Sequence, residues 1–355
     1  MVLVLSLCLQ VLSGIGLAIH YEPTASSAFF CLHRMVRNYK YGWLIRSGHH
    51  IGVSLMFMAL YVHLFKNIYC RSYSFGRITT WLVGTLTFMF IMLTAFLGSI
   101  LPWGQISYWA GVVSSNFIEV IPFIGALLKG VLLGGPTVGD ATIKRCFVYH
   151  CILPFIVLML GAIHIALVHS KGQLYYSECR LPLKRALVPM HPTATIKNGR
   201  ACLFYLLILS VLCTLVPDVF MNQANYQPAN YLVTPRSVKP EWYFMPFFAM
   251  LKAFESKTTG VSCVLSFFFL VACLPYAHKA IPFWQSVKIY RSFVTIVSLC
   301  FICLAWLGDM DRNDTTAFAS RMCIYSFWMF FLWPKAIMLW KFVKCLMFRI
   351  LVKLT

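Results

Sequence analysis

The sequence predicts an all-α membrane protein of eight transmembrane helices, in which a four-helix bundle is followed by four further helices. Hydrophobic residues make up 60% of the 355 residues and charged residues only 11%, a composition far outside that of soluble globular domains. A spanning helix needs about 20 mostly apolar residues. Eight such stretches, named spans A to H, occur at 1–20, 47–65, 81–101, 147–169, 201–217, 261–278, 292–308 and 322–343.

The spans divide the chain into two predicted domains. Residues 1–200 are expected to form the four-helix bundle of spans A to D with a basic D–E connection, and residues 201–355 to contain spans E to H. The C–D and E–F connections are long and contain several prolines. Because long connections in compact proteins are usually functional, we expect these two loops to build a site.

The distribution of charge predicts the orientation. An even number of spans places both termini on one side of the membrane. The connections on the opposite side hold nine acidic and thirteen basic residues, whereas the side of the termini holds one acidic and seventeen basic residues. By the positive-inside rule, the termini face the cytoplasm or its organellar equivalent. The bases flank spans and form no separate domain, so no nucleic-acid partner is expected.

Four histidines form a regular pattern in spans B and D. His49 and His63 are fourteen residues apart, and so are His150 and His164. Positions fourteen apart share a helix face and are separated by about 21 Å along the axis. Because span C intervenes, spans B and D run parallel, which places His49 level with His150, near the acid-bearing face, and His63 level with His164.

These matched pairs predict two haems. An ionisable residue inside a membrane is a functional candidate, and two axial imidazoles on one iron suit electron transfer. No CxxCH motif occurs, so the haems are expected to be non-covalent. His50 is interpreted as a packing or solvent contact. An interfacial position is favoured for the histidines near span ends, which are His20, His33, His191 and His278.

Small and basic residues near these pairs are further candidates for haem binding. Glycines let a bulky flat group approach a helix, although glycine is also common in membrane helix packing. The candidates are Gly14 in span A and Gly84 and Gly98 in span C. Basic residues near span ends could pair with haem propionates or be solvated interfacial charges. These are Arg46, Lys66 and Arg77.

At this point the residues resemble those of a known family. The motifs are LSGIGLAIHY at 12–21, the four histidines, TAFLGSILPWGQISYW at 94–109 and PEWYF at 240–244. Together they resemble mitochondrial cytochrome b, the haem-bearing subunit of quinol:cytochrome c reductase (respiratory complex III), in a divergent form with a short N-terminus. The resemblance implies a multi-pass protein of the mitochondrial inner membrane, with its termini on the matrix side.

The resemblance also implies an activity, cofactors and partners. It implies two b-type haems, ubiquinol and ubiquinone as substrates, and a Q cycle that oxidises quinol at an outer site and reduces quinone at an inner site, contributing to proton translocation. The implied partners are a Rieske iron-sulfur protein, cytochrome c1, other complex III subunits, membrane lipid and a second copy of the complex as a homodimer.

The outer quinol site implied by the resemblance lies in the two long loops. Its residues would be Phe96, Ala110, Pro240, Glu241, Trp242, Tyr243 and Phe248. Glu241 and Tyr243 would be catalytic, since a carboxyl group in an apolar loop can accept and relay a quinol proton; a loop carboxylate bonded to the backbone is the alternative. Phe248 stands where the family usually has Tyr. Ala110 stands where it usually has Gly, a change that accompanies resistance to strobilurin-type inhibitors, so we expect natural resistance.

The inner quinone site implied by the resemblance departs further from the family. Its residues would be His169 and Lys197, both catalytic, and Asn198. The family usually has Asp at the position of Asn198, so an obvious proton donor is replaced. The chain also begins too late for the amphipathic segment and the further glycine that usually precede Gly14.

Two other functions are compatible with intramembrane histidines. A secondary proton-coupled transporter would show inverted repeats and broken helices near the midplane, and no such pairing occurs in the sequence. A dihaem membrane anchor of another dehydrogenase usually has four to six spans and lacks the PEWY-type loop. A b-type absorbance spectrum separates the cytochromes from the transporter.

Overall fold

The computed structural model of the chain describes residues 1–74, 76–171, 189–277, 287–332 and 347, and the regular elements among these residues are helices. Short helical turns occur at Met190–Ala194, Gln223–Tyr226 and Trp242–Phe244. The helices in chain order are α1 Val2–Ala18, α2 Ala28–Asn38, α3 Gly42–Tyr69, α4 Ile78–Ile100, α5 Gln105–Glu119, α6 Gly125–Leu133, α7 Asp140–Lys171, α8 Thr195–Leu215, α9 Met245–Lys252, α10 Lys257–Ala277, α11 Val287–Asp309 and α12, residues 314–332.

The apolar helices make the chain an integral membrane protein. Six of them are long and apolar enough to cross a bilayer, and they correspond to predicted spans B to G. The helix of span A has 17 residues, which is at the lower limit for spanning. Span H is helical through residue 332, and most of its predicted remainder lies outside the described residues. The prediction of an all-helical membrane protein is confirmed, and the count of eight spans stays a prediction.

The chain forms two compact units. One consists of Met1–His63 and Leu86–Tyr243, and the other of Leu64–Thr85 and the described residues from Phe244 onward. α3 and α4 each contribute residues to both units. The expected domain boundary near residue 200 stays a prediction.

Short helices in the connections between spans are features that the sequence analysis did not predict. α2 lies between spans A and B as an amphipathic helix, with Phe29 and Met35 buried and Arg34 and Arg37 exposed. α5 and α6 form a helical hairpin between spans C and D. α6 ends at Leu133 and is followed by Gly134, whose φ of 68° is a left-handed conformation that glycine adopts readily.

The two long connections contact each other, as the sequence led us to expect. The Gln105 side chain accepts a hydrogen bond from the backbone N–H of Asn230 at 2.6 Å and donates one to the Val233 carbonyl at 2.5 Å. The indole of Trp109 donates to the Asn230 carbonyl at 3.2 Å. These bonds join the start of α5 to the loop that follows α8, so the C–D and E–F connections form one surface.

Candidate functional site

The structure brings together both predicted histidine pairs. The ring centres of His49 on α3 and His150 on α7 are 6.2 Å apart. Those of His63 and His164, on the same two helices, are 6.3 Å apart. α3 and α7 therefore present two imidazole pairs with nearly equal separations at two levels.

These separations fit an iron held between each pair. A metal–imidazole nitrogen bond is about 2.0 Å long and the ring centre lies about 1.1 Å beyond the nitrogen, so two axial imidazoles on one metal have ring centres about 6.2 Å apart. If a nitrogen of each ring points at a common centre, the two nitrogens are too far apart at these separations to contact each other directly. Two imidazoles per site are a donor set that would hold one haem, which would supply one-electron transfer there.

Hydrogen bonds orient the imidazoles of His49 and His150, called the outer pair after the predicted orientation of the chain. The Nδ1 atom of His150 lies 2.8 Å from the Thr94 carbonyl, which can only accept, so Nδ1 carries the proton. The Nδ1 atom of His49 lies 2.9 Å from the Ser13 hydroxyl. That hydroxyl donates its proton to the Leu9 carbonyl at 2.7 Å and therefore accepts from His49. Both Nε2 atoms keep their lone pairs for a metal, as is usual for ligands whose other nitrogen is hydrogen-bonded.

Two of the predicted glycines lie against the histidine rings. A Cβ atom at Gly98 would lie 2.4 Å from Cε1 of His150, and one at Gly14 would lie 3.2 Å from Cε1 of His49. Carbon atoms in contact are normally about 3.5 Å apart. The absence of a side chain at Gly98 is therefore a condition for the observed position of the His150 ring. Gly84 lies on α4 with Gly98, fourteen residues before it.

The outer histidine pair lies at a cavity of about 170 Å³. The cavity is lined by residues from the A–B connection, from α1, α3, α4 and α7, and from the E–F connection. They include Gly14, Arg46, Gly98, Glu241 and Tyr243. The structure thus places two predicted residues of the outer quinol site beside predicted residues of the outer haem site.

The PEWY segment reaches this cavity because α3 holds it along one face. The indole of Trp242 donates a hydrogen bond to the Ser54 hydroxyl at 3.2 Å. The ring of Tyr243 stacks on Phe57 with ring centres 4.2 Å apart, and the Tyr61 hydroxyl donates to the Tyr243 carbonyl. Ser54, Phe57 and Tyr61 are three or four residues apart and therefore share one face of α3. α3 thus carries His49 and His63 and also the residues that hold the PEWY segment.

Burial changes the acidity of Glu241. The carboxyl group is withdrawn from solvent, and this desolvation raises the pKa of Glu241 to about 7. A low-dielectric environment disfavours the charged form of an acid. Glu241 can therefore both bind and release a proton near neutral pH.

Comparisons with known proteins identify the family. The first part of the chain, residues 1–172, matches the family model described as Cytochrome b/b6/petB, and residues 228–331 match the model described as Cytochrome b(C-terminal)/b6/petD. The chain belongs to the cytochrome b family. A cytochrome b of Chondrus crispus is 33% identical over 330 residues, which cover 92% of this chain and 86% of the relative. A cytochrome b of Rickettsia conorii is 34% identical over 326 residues, which cover 91% of this chain and 82% of the relative.

A solved structure supports the same assignment. The chain is similar to a chain of a structure described as hyperthermophilic respiratory Complex III, with a TM-score of 0.85 and 26% identity. The match covers 95% of this chain and 89% of the other chain. The predicted resemblance and electron-transfer function are confirmed, and the transporter and dehydrogenase-anchor alternatives are not favoured. Membership in the cytochrome b family implies b-type haem.

The other residues predicted for the outer site have different surroundings. Arg46 lines the cavity, and its guanidinium donates to the Met221 sulfur at 3.2 Å. Asp218 interacts with Arg46 electrostatically, but among the described residues no carboxylate lies within ion-pair distance of this guanidinium. Phe96 packs against the core around Leu97 and Trp103. Ala110 and Pro240 are half-buried and are not among the residues that line the cavity.

The remaining predicted residues belong to the second compact unit or to the predicted inner side of the first unit. Phe248 belongs to the second unit, where its ring lies 5.1 Å from the Lys252 ammonium. In the same unit Lys66 is exposed and Arg77 is buried. His169, Lys197 and Asn198 are exposed, and residues 172–188 between them lie outside the described part of the chain. Their roles at haem propionates and at the inner quinone site stay predictions.

Sequence reasoning missed residues that the structure brings to the outer site. Ser13 and Thr94 lie inside the motifs that identify the family, but nothing in their spacing indicates a bond to a histidine. His33 and His50 were interpreted as interfacial and packing residues, yet both line the cavity. The clue that the sequence offered was their position in or beside the connection between spans A and B.

Proposed function

We propose that this member of the cytochrome b family is the haem-bearing electron-transfer subunit of a quinol:cytochrome c oxidoreductase. The observation that carries the proposal is the pair of matched imidazole separations, 6.2 Å for His49 with His150 and 6.3 Å for His63 with His164. Two b-type haems, one per pair, would each supply reversible one-electron transfer when bound. The four histidines would hold the haems, and the hydrogen bonds at the Nδ1 atoms of His49 and His150 would orient these two rings.

The spacing of the pairs suits electron transfer across the membrane. Fourteen residues of helix separate the two levels by about 21 Å, most of the thickness of the hydrocarbon core, which is about 30 Å. Two redox centres at these levels would let electrons pass between the outer and inner faces of the membrane. Quinol would be oxidised near the outer pair and quinone reduced near the inner pair, so that charge separation contributes to proton translocation.

The outer site would use the PEWY segment. Glu241 and Tyr243 line the same cavity as the outer histidines, and a carboxyl group that titrates near pH 7 suits a general base for quinol. Pro240 and Trp242 would shape the segment, and Trp242 ties it to α3. Phe96, Ala110 and Phe248 would complete the quinol pocket, as the family resemblance implies.

The inner site and the assembly rest on the family resemblance. His169, Lys197 and Asn198 would bind quinone near the inner pair. Arg46 would pair with a propionate of the outer haem, and Lys66 and Arg77 with propionates of the inner haem. Ubiquinone is the proposed substrate, in a homodimeric complex of the mitochondrial inner membrane with the termini on the matrix side. A Rieske iron-sulfur protein and cytochrome c1 are the proposed redox partners.

Redox titration of the purified complex tests the haem assignment. We expect two b-type haems of different midpoint potential, with His49→Ala removing one of them and His63→Ala the other. His20→Gln is the control, because His20 is exposed and contacts Tyr39 instead of the cavity. A complex without b-type absorbance, or one in which both alanine variants keep two haems, contradicts the proposal.

A further inference from the structure

A polar side chain of α1 lies against the backbone of α3 at the level of the outer histidine pair. Gln10 is buried although it lies in the middle of an apolar helix. Its amide nitrogen donates a hydrogen bond to the His49 carbonyl at 3.0 Å, and its amide oxygen accepts one from the Val53 N–H at 3.2 Å. These two backbone groups face each other across one turn of a helix, so the Gln10 amide spans the turn of α3 that begins at His49.

Gly52 makes this contact possible. A Cβ atom at position 52 would overlap the terminal amide of Gln10, so the amide reaches the backbone of α3 because no side chain covers it there. Small residues that allow close approach, together with polar side chains that bond across, commonly hold membrane helices together. Helix association alone therefore explains a glutamine against a glycine, but it does not explain why the next turn of α1 also contacts His49.

The next turn of α1 contacts the ring of His49. The Ser13 hydroxyl lies 2.9 Å from Nδ1 of His49, and a Cβ atom at Gly14 would lie 3.2 Å from Cε1. Gln10, Ser13 and Gly14 share one face of α1, because they are three and four residues apart. This face holds the backbone carbonyl of His49 through Gln10 and its ring through Ser13. A shift of α1 relative to α3 would therefore change both contacts together.

We propose that Gln10 is a positioning residue for the outer haem ligand, which fixes α1 against α3 so that Ser13 stays within hydrogen-bond distance of His49. The proposal rests on haem ligation by His49, as proposed above. A hydrogen bond at the second nitrogen of a ligand imidazole sets the orientation of the ring and raises its basicity. Gln10 supplies the two bonds that hold the helices in register, and Ser13 supplies the bond that acts on the ring. Gln10 thus influences the ligand through Ser13.

Redox titration of the b haems in the purified complex tests this role. In Gln10→Leu an apolar side chain of similar size replaces the amide, so neither hydrogen bond to α3 can form. The bond between Ser13 and His49 should then lengthen and the imidazole should donate less to iron. We expect the midpoint potential of the outer haem to rise, by less than in Ser13→Ala, while that of the inner haem stays unchanged. Gly52→Ala displaces the amide from the side of α3 and should also raise the potential of the outer haem.

Ser6→Ala is the matched control on the same helix. Ser6 is buried four residues before Gln10, and its hydroxyl bonds to the Leu3 carbonyl and to Tyr205 on α8. This variant also removes a buried polar group from α1, but it keeps both bonds of the Gln10 amide. Both midpoint potentials should therefore stay those of the wild type.

A double variant separates positioning from packing. Once Ser13→Ala has removed the hydroxyl, Gln10 has nothing left to position, so Gln10→Leu should add no further rise in that background. Independent effects would add, and a merely structural role would lower thermal stability without moving the potential. A wild-type complex without two b haems overturns the proposed function. A wild type with two haems overturns the role of Gln10 alone in either of two cases: Gln10→Leu and Gly52→Ala keep the wild-type potentials, or the double variant shows the sum of the single shifts.

Discussion

A methyl group added at Gly98 is expected to remove the outer haem. In Gly98→Ala the new Cβ would lie 2.4 Å from Cε1 and 2.8 Å from Nδ1 of His150. Carbon atoms in contact are about 3.5 Å apart, so the ring must move by about 1 Å. Metal–ligand distances tolerate deviations of only about 0.2 Å. The required displacement is about five times that tolerance, and it also breaks the hydrogen bond between His150 and the Thr94 carbonyl.

The assay is haem content together with reduced-minus-oxidised spectra of the purified complex. We expect Gly98→Ala to retain one haem per chain, with the signal of the outer haem absent. The matched control is Gly161→Ala on α7, because a Cβ there would have no atom within 4 Å. Gly14→Ala is an intermediate case, since its Cβ would lie 3.2 Å from His49 and a small ring shift suffices; we expect both haems to remain. Two haems with unchanged spectra in Gly98→Ala would refute the reasoning.

Three further predictions concern the outer site. Ser13→Ala removes the acceptor for the His49 Nδ1–H, and the imidazole should then be a weaker electron donor to iron. We expect the midpoint potential of the outer haem to rise by about 40 mV, which is the equivalent of one hydrogen bond of about 1 kcal/mol. An unchanged midpoint potential in the redox titration would contradict this. Glu241→Gln removes a base that ionises as the pH rises through about 7. The rate of quinol oxidation by this variant should therefore no longer increase with pH over that range. Ala110→Gly should increase inhibition of quinol oxidation by strobilurin-type compounds, and equal inhibition of both forms would show that Ala110 does not determine resistance.

Local patterns made much of the fold predictable. Six predicted spans recur as long apolar helices, because hydropathy over about 20 residues reports directly on membrane insertion. The spacing of fourteen between His49 and His63 predicted a shared helix face, because helix geometry is regular. The amphipathic α2 and the α5–α6 hairpin escaped prediction, because short helices in connections carry weak signals.

The sequence by itself determined the membrane class, the family and the four histidines, since these depend on composition, motifs and spacing along one helix. Only the tertiary structure decided what surrounds the histidines. Ser13 and His49 are 36 residues apart, and Thr94 and His150 are 56 apart, so their hydrogen bonds depend on how helices pack. The same holds for His33, which lines the cavity together with His49 although the two are 16 residues apart in the sequence. Contacts between distant segments are set by packing, and no periodicity within one segment reports them.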